Sequence, residues 1–183
     1  MLKTQVKNVE VDLKKLLVVV DFQNDFIDGS LGTPEATAIV PNVLDKIASY
    51  ALEERVATQD THFSDYLTTQ EGQNLPVIHC VKDTFGWEIR KEAQLGYRQI
   101  FEKNTFGSLE LAEFVRDEKF NEVELIGICT DICVVSNALL IKAHAPEVKI
   151  IVDAACCAGV SPEKHLAALE TMRSCQIEIR NLS

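Results

Sequence analysis

The sequence predicts one α/β domain with a doubly wound, Rossmann-like, mostly parallel sheet and helices on both faces. Residues 16–20 form a continuous apolar run (LLVVV), as in strands that are buried on both faces of a parallel sheet. Similar runs recur along the chain with helical patterns between them. The 183 residues, 46% of them hydrophobic and 25% charged, suffice for one core, so we predict a single domain over residues 1–183.

The strands are predicted from short apolar segments that are rich in β-branched residues. The first of them ends at Asp21, and the others have the same length and composition. The stretch from Thr61 to Gly107 is less regular, and no strand is predicted there. The predicted strands are 16–20, 55–60, 122–128, 148–153 and 176–180.

The helices are predicted from apolar spacing and from residues that start or stop helices. Pro41 stands near the start of the first helix, Ser108 is a candidate N-cap of the second, and Pro146 follows the third. Ser161 and Pro162 supply an N-cap and a first-turn proline for the last. The predicted helices are 40–52, 109–115, 131–145 and one that begins after Ser161.

The charge balance argues against two classes of partner. The chain has 28 acidic and 18 basic residues and a formal net charge of −10, so it lacks the footprint of a protein that binds nucleic acid or an anionic membrane. The longest apolar run is far shorter than the roughly 18 residues of a membrane span. No secretory leader is recognisable, and the six cysteines are expected to be reduced, so we expect a cytoplasmic protein.

Three segments with candidate functional residues lie at the predicted carboxyl ends of strands. They are Asp21, Asp60 and the turn over residues 129–133. Doubly wound folds bind their ligands at this edge of the sheet. We therefore expect the functional site where these segments meet.

Three residues are candidate catalytic groups, and each has a simpler alternative. Cys133 lies near a predicted helix start, where amide groups and the helix dipole favour a thiolate and lower its pKa; alternatively it is a core residue or a redox partner of Cys129. Asp21 ends a buried strand, where a carboxylate needs a partner or a function, unless it caps the next loop. Lys103 lies between aromatic residues, or is simply solvated.

Four residues form a candidate metal site. Asp60 and His62 stand two positions apart, which places them on the same side of an extended segment. Glu71 and His79 follow after loop-like spacing. Such a mixed oxygen and nitrogen set suits Zn, Fe or Mn, although His79 is alternatively a hydrogen-bonded core histidine.

Several segments occur together in an order that is typical of one known family. The most specific of them are DFQNDF at residues 21–26 and GICTDICV at residues 127–134, with TQDTH at 58–62, LPVIHC at 75–80 and Lys103 between them. Together they resemble the isochorismatase-like cysteine hydrolases, most closely the nicotinamidase branch. The resemblance extends from about residue 16 to residue 179.

The resemblance implies a catalytic triad in an amide hydrolase. Cys133 would be the nucleophile, Asp21 the proton acceptor and donor, and Lys103 the neighbouring cation. These residue types suit the reaction, because a thiolate must attack an amide carbonyl and a proton must reach the leaving ammonia. The resemblance also implies that the backbone amides of Cys129 and Cys133 bind the oxyanion, and that the Ile128–Cys129 peptide bond is cis.

The resemblance also implies a divalent metal and a small-molecule substrate. In the nicotinamidase branch the metal binds the pyridine nitrogen of nicotinamide, and the matching ligands here are Asp60, His62, Glu71 and His79. The metal would be Zn, Fe or Mn. Members of the family are commonly homo-oligomers, so we expect one here.

The substrate pocket departs from the pattern of the branch at two positions. Pro76 stands where an aromatic residue often precedes the metal histidine, and Phe106 stands where a tyrosine is frequent. Phe26, Trp87 and Phe106 are therefore expected to form the aromatic wall; alternatively Trp87 packs in the core.

Two alternatives to nicotinamide hydrolysis remain at this point. The same triad could act on another small amide, or on a carbamoyl or ureido compound. A non-enzymatic binding module on this fold is the second alternative, and the joint presence of Asp21, Lys103 and Cys133 argues against it. Isochorismate hydrolysis is disfavoured, because the branch that acts on vinyl ethers lacks a cysteine at position 133.

Overall fold

Six parallel strands form one sheet in the computed structural model, which describes residues 13–182. The sheet order is β3-β2-β1-β4-β5-β6, and every neighbouring pair is parallel. The predicted α/β fold class is thus confirmed. Residues 1–12 and 183 of the predicted domain lie outside the described residues. The strands are β1 (Lys15–Val20), β2 (Arg55–Asp60), β3 (Gln99–Lys103), β4 (Glu122–Ile128), β5 (Lys149–Ala158) and β6 (Glu178–Arg180).

The central strand β1 is buried on both faces. Leu16, Val18 and Val20 pack into one hydrophobic cluster, and Leu17 and Val19 pack into a second cluster on the opposite face. Alternate side chains of a strand point to opposite faces, so a core on each side requires apolar residues at every position. This explains why the LLVVV run shows no polar alternation.

Seven α-helices and a π-helical turn accompany the described strands. Ser108 and Ser161 cap their helices as predicted, accepting hydrogen bonds from the backbone of Leu111 (3.1 Å) and Lys164 (3.3 Å). No helix among residues 13–182 is long and apolar enough to cross a membrane. The helices are α1 (Asn24–Ile27), α2 (Pro34–Ala38), α3 (Val40–Ala48), α4 (Gln70–Asn74), α5 (Leu109–Glu118), α6 (Val135–His144) and α7 (Pro162–Ser174), with the π-helical turn at Thr130–Val134.

The structure differs from the sequence prediction in several elements. Helices α1, α2 and α4 were not predicted, and α3 ends at Ala48 instead of residue 52. Further differences affect β3, β5 and the start of α6. Strand β3 lies in the stretch that was predicted to be irregular; it is an edge strand with only two buried residues, so it has no continuous apolar run. Strand β5 continues to Ala158, five residues beyond its predicted end. The predicted helix over 131–145 begins as the π-helical turn and becomes α-helical only at Val135.

The order in which the strands are added to the sheet reverses after β3, which places a topological switch point between β1 and β4. The chain passes from β1 outwards through β2 to β3, then returns to add β4 on the other side of β1. In open α/β sheets this switch point leaves a crevice at the carboxyl ends of the two strands. Asp21 follows β1 and Cys129 follows β4, so both residues lie at the crevice.

Gly127 allows β1 and β4 to approach each other at this crevice. Its φ is +121°, and a Cβ there would overlap the backbone of Val20.

We expect Gly127→Ala to lower the free energy of unfolding by about 3 kcal/mol, measured by urea denaturation. Gly96→Ala is the matched control: Gly96 also has a positive φ (+88°), but its Cβ would meet only the end of the Leu52 side chain, at 3.1 Å. Gly96→Ala should lower the free energy of unfolding by about 1 kcal/mol. Equal losses in the two variants would contradict the need for glycine between β1 and β4.

Candidate active site

Asp21, Lys103 and Cys133 meet at the carboxyl ends of β1, β3 and β4. Lys103 Nζ lies 2.7 Å from Asp21 Oδ2 and 3.7 Å from Cys133 Sγ. All three residues are buried, with exposed fractions of 0%, 6% and 6%. The structure therefore brings the three candidate catalytic residues together, although they lie far apart in the sequence.

The Asp21 carboxylate is oriented by Thr58. The Thr58 hydroxyl donates a 2.7 Å hydrogen bond to Asp21 Oδ1, and the Asp21 backbone itself has φ of +46°, a strained conformation for an aspartate. Oδ2 is buried and accepts no well-aligned hydrogen bond, although Lys103 is close. Burial raises the pKa of Asp21, partly offset by the charge of Lys103. Asp21 Oδ2 is therefore available to accept a proton.

Cys133 lies in the π-helical turn that follows β4. The prediction that a helix start lowers its pKa is wrong here, because burial raises the pKa of Cys133 well above that of a free thiol, and the charge of Lys103 only partly offsets this. Desolvation disfavours the thiolate more than the neighbouring groups favour it. The resting sulfur is therefore a thiol, and it needs a nearby base before it can act as a nucleophile.

The backbone around Cys129 leaves the Cys133 N–H without a backbone acceptor outside its own helical turn among the described residues. The Cys129 carbonyl accepts hydrogen bonds from Ile132 (3.1 Å) and Val134 (3.0 Å), the residues on either side of Cys133. The amides of a first helical turn have no acceptor within the helix, so the Cys133 N–H can serve a ligand. The Ile128–Cys129 peptide bond is cis, as the family resemblance predicted.

Asp60, His62 and His79 form a second cluster beside Lys103. One ligand atom from each of the three lies within 4.8 Å of the others. Asp60 Oδ2 is 2.9 Å from His62 Nε2 and 3.6 Å from His79 Nε2, while Asp60 Oδ1 is 3.2 Å from Lys103 Nζ. Burial disfavours the Asp60 carboxylate, but His62, His79 and Lys103 outweigh it, so the pKa of Asp60 lies below its usual range. Asp60 is thus an anionic link between the two clusters.

The donor set of this cluster fits a divalent metal. His62 Nε2 is buried and, despite its closeness to Asp60, has no hydrogen-bond partner, which is costly unless another group binds it. The His79 Nδ1–H donates to the Val77 carbonyl at 2.8 Å, so its Nε2 carries the lone pair in the neutral ring and points at Asp60. Metal-binding histidines are commonly oriented in this way. Two imidazole nitrogens and a carboxylate suit Zn, Fe or Mn.

Glu71 lies at the margin of the metal cluster. Its Oε1 is 3.6 Å from His62 Nε2 and 3.9 Å from His79 Nε2. Helix α4, which was not predicted, carries it, and Thr69 caps that helix by accepting a hydrogen bond from Gly72 (3.0 Å). The fourth ligand predicted from the family resemblance is therefore within reach of the cluster.

Removal of either histidine should weaken metal binding. We expect His62→Ala and His79→Ala each to raise the Kd for Zn²⁺ by about 100-fold or more, because each deletes a direct ligand. Competition with a chromophoric chelator measures this without any assay of activity. His144→Ala is the control, since His144 Nδ1 only contacts the Leu140 carbonyl (3.1 Å) in α6. Unchanged Zn²⁺ affinity in both variants would rule out this cluster as the metal site.

A mostly apolar cavity of about 270 Å³ connects the two clusters. Cys133 and Cys129 line one part of it, and Asp60, Glu71 and His79 line another. A small planar molecule in this cavity would therefore contact the thiol and the metal cluster together. The remaining lining residues are Phe26, Leu31, Thr33, Leu75, Phe106, Ile128, Ile132, Gly159, Val160 and Lys164.

The predicted aromatic wall is only partly present. Phe26 and Phe106 line the cavity, as expected, but Trp87 does not. The Trp87 indole N–H donates to the Thr61 hydroxyl at 2.9 Å, and the ring faces a separate cavity on the far side of β2 together with Tyr97. The assignment of Trp87 to the substrate pocket is thus wrong, because a hydrogen bond directs its ring elsewhere.

Two residues that orient the site were missed as functional residues, although both lie in the quoted DFQNDF segment. The Gln23 side chain accepts a hydrogen bond from the Asp60 backbone N–H (2.7 Å) and donates to the Asp60 carbonyl (2.8 Å). Asp25 Oδ2 accepts from the backbone N–H of Cys80, next to His79, at 2.8 Å. Polar residues directly after a fully buried strand were the signal that could have identified them.

The comparisons with known proteins agree with this geometry. A family model described as the isochorismatase domain matches residues 15–182. The nicotinamidase/pyrazinamidase of Mycobacterium tuberculosis is 30% identical, over 90% of this chain and 97% of that protein. The nicotinamidase of Escherichia coli is 26% identical, over 80% of this chain and 84% of that protein. The crystal structure of the pyrazinamidase of Pyrococcus horikoshii in complex with zinc covers 92% of this chain and 99% of its own, at 29% identity and a TM-score of 0.76.

Proposed function

Because the chain belongs to the isochorismatase family, and within it to the nicotinamidase branch, we propose that it hydrolyses nicotinamide to nicotinate and ammonia. Its relatives identify it as a hydrolase of amide carbon–nitrogen bonds. The observation that carries the choice of substrate is the shared cavity, which is lined both by the buried Cys133 thiol and by Asp60 and His79 of the metal-ligand cluster. In a pyridine carboxamide, the carboxamide group would meet the thiol and the ring nitrogen would meet the metal-ligand cluster.

The first half of the proposed reaction forms a thioester on Cys133. Asp21 takes the thiol proton, and the sulfur attacks the carboxamide carbon to give a tetrahedral oxyanion. Asp21 then gives that proton to the amide nitrogen, the carbon–nitrogen bond breaks and ammonia leaves. The 2.7 Å contact between Lys103 and Asp21, and the Asp21 Oδ2 that lacks an aligned donor, support this proton route.

The second half returns the enzyme to its resting state. A water molecule gives a proton to Asp21 and adds to the thioester carbonyl, the carbon–sulfur bond breaks, and the carboxylic acid leaves as Cys133 regains its proton. The backbone amides of Cys129 and Cys133 are proposed to stabilise the oxyanion in both halves. Such a donor is typically worth about 3 kcal/mol of the barrier.

Lys103 is proposed to remain charged through the cycle. Burial alone would disfavour its charge, but Asp21, Cys133 and Asp60 outweigh burial and raise its pKa. The ammonium group therefore stabilises the thiolate that forms 3.7 Å away, and it holds Asp21 in place. It acts as a fixed cation and does not itself transfer the proton.

Asp60, His62 and His79, with Glu71 beside them, are the residues that would hold the divalent metal. The metal would supply Lewis-acid coordination of the pyridine ring nitrogen. Phe26 and Phe106 are proposed to contact the faces of the ring. The two hydrogen bonds between the Gln23 side chain and the Asp60 backbone keep the ligand segment in register with β1.

The choice of substrate is tested by matched amides. We expect the metal-loaded enzyme to release ammonia from nicotinamide with a kcat/KM that exceeds that for benzamide by about 100-fold or more, because benzamide lacks the ring nitrogen. Equal rates for the two amides would contradict recognition of the pyridine. Hydrolysis of carbamoyl or ureido compounds but not of nicotinamide would instead favour the alternative substrate class.

A further inference from the structure

A hydrogen bond outside the triad and the metal cluster connects the catalytic turn to helix α7. The Thr130 hydroxyl oxygen lies 2.8 Å from His165 Nδ1. Thr130 is fully buried and directly follows Cys129, whose backbone amide belongs to the proposed oxyanion site. His165 lies in the first turns of α7 and does not line the catalytic cavity.

Close backbone packing joins the same two segments. Asp131 Oδ1 accepts a hydrogen bond from the Val160 backbone N–H at 2.9 Å. A Cβ on Gly159 would lie 2.8 Å from Asp131 Oδ1 and 2.9 Å from the backbone nitrogen of His165. The glycine therefore permits the catalytic turn and the start of α7 to come close enough for the Thr130–His165 bond.

The chemistry of the pair makes both partners necessary. Burial lowers the pKa of His165, so its imidazole is neutral at pH 7 and offers one donor and one acceptor nitrogen. Loss of the imidazole would leave the buried Thr130 hydroxyl without its partner. An unsatisfied buried hydroxyl is costly, so we expect the turn to shift when the imidazole is removed.

We propose that His165 is a positioning residue for the proposed amide hydrolysis, acting through Thr130 on the turn at residues 129–133. The inference rests on the function proposed above. By holding Thr130, His165 keeps the amides of Cys129 and Cys133 aligned for an oxyanion that exists only after attack. Misalignment should therefore lower kcat and leave KM nearly unchanged.

The test is a double-mutant cycle on the two partners. Thr130→Val and His165→Ala should each lower kcat for nicotinamide by about ten- to a hundredfold, with little change in KM. The double variant should be no worse than either single variant, because all three lose the same hydrogen bond. An unchanged kcat in His165→Ala, or losses that multiply in the double variant, would overturn the proposal.

Conservative variants separate positioning from loss of folding. His165→Asn keeps a polar group near the Nδ1 position and Thr130→Ser keeps the hydroxyl, so both should recover most of kcat. His144→Ala is the matched control, since His144 bonds only within α6. Thermal unfolding should show that all variants are folded at the assay temperature. If the conservative variants lose as much activity as Thr130→Val and His165→Ala, the hydrogen bond is not the cause.

A second readout needs no nicotinamide. Benzaldehyde adds reversibly to a thiol to give a thiohemiacetal, whose oxygen would lie where the oxyanion forms, and its Kd can be measured from the protection it gives Cys133 against alkylation by iodoacetamide. We expect Thr130→Val, His165→Ala and the double variant to raise this Kd by the same factor, and an unchanged Kd in His165→Ala would overturn the proposal. If the wild-type enzyme releases no ammonia from nicotinamide, the proposed function fails, whereas these Kd values still decide the role of His165.

Discussion

Cys133→Ala is expected to lower kcat for nicotinamide by about 10⁵-fold or more, the largest effect of any single substitution in the chain. The reason is that the sulfur forms the covalent bond to the substrate, and alanine offers no other nucleophile. Cys129 lines the same cavity, but among the described residues the only cysteine sulfur that contacts Lys103 Nζ is that of Cys133, at 3.7 Å. Steady-state ammonia release measures the loss.

Cys175→Ser is the control for removal of a thiol, because Cys175 is half-buried at the end of α7 and outside the cavity. It should retain full activity. Cys133→Ala should still bind Zn²⁺ with wild-type affinity, since none of Asp60, His62 and His79 depends on the sulfur. Substantial ammonia release by Cys133→Ala would show that hydrolysis proceeds without a thioester and would contradict the mechanism.

Asp21→Asn is expected to have the next largest effect, a loss of about 10³-fold in kcat. The asparagine keeps the shape of the side chain and can still accept the Thr58 hydrogen bond, which is 2.7 Å long in the wild type. It cannot take the proton of the Cys133 thiol, whose pKa burial holds well above that of a free cysteine. Both the formation of the nucleophile and the protonation of the leaving ammonia should therefore fail.

A second aspartate–lysine pair provides the matched control. Asp153 Oδ2 lies 2.7 Å from Lys46 Nζ, the same distance as between Asp21 Oδ2 and Lys103 Nζ. Its hydrogen-bond donors, Ala155 and Asn181, belong to neither the triad nor the metal cluster. Asp153→Asn should lower the free energy of unfolding and leave kcat unchanged. If Asp21→Asn and Asp153→Asn lowered kcat to a similar extent, the effect of Asp21 would be one of stability and not of proton transfer.

The sequence predicted the central strands because their environment leaves a local signal. Residues of β1 pack on both faces, and such strands show continuous apolar runs. Strand β3 lies at the sheet edge with a mixed pattern of exposure, so apolar periodicity missed it, although it carries Lys103. Its aromatic neighbours made Lys103 a candidate, but only the family resemblance gave it a catalytic role.

The features of the site that the sequence did not predict depend on contacts between distant segments. The direction of the Cys133 pKa shift is set by burial, which a helix start alone does not indicate. The ring of Trp87 is turned away by a hydrogen bond to Thr61, a partner 26 residues earlier in the chain. The link from Thr130 to His165 spans 35 residues and has no sequence motif of its own.

The most direct test of the account is ammonia release from nicotinamide by the purified, reduced protein before and after removal of bound metal by a chelator. The account predicts rapid release that chelation abolishes and that added Zn²⁺, Fe²⁺ or Mn²⁺ restores, because the thiol and the metal-ligand cluster line one cavity. Absence of release from the metal-loaded enzyme would contradict nicotinamide as the substrate. Release that persists undiminished after complete removal of metal would contradict the proposed role of Asp60, His62 and His79.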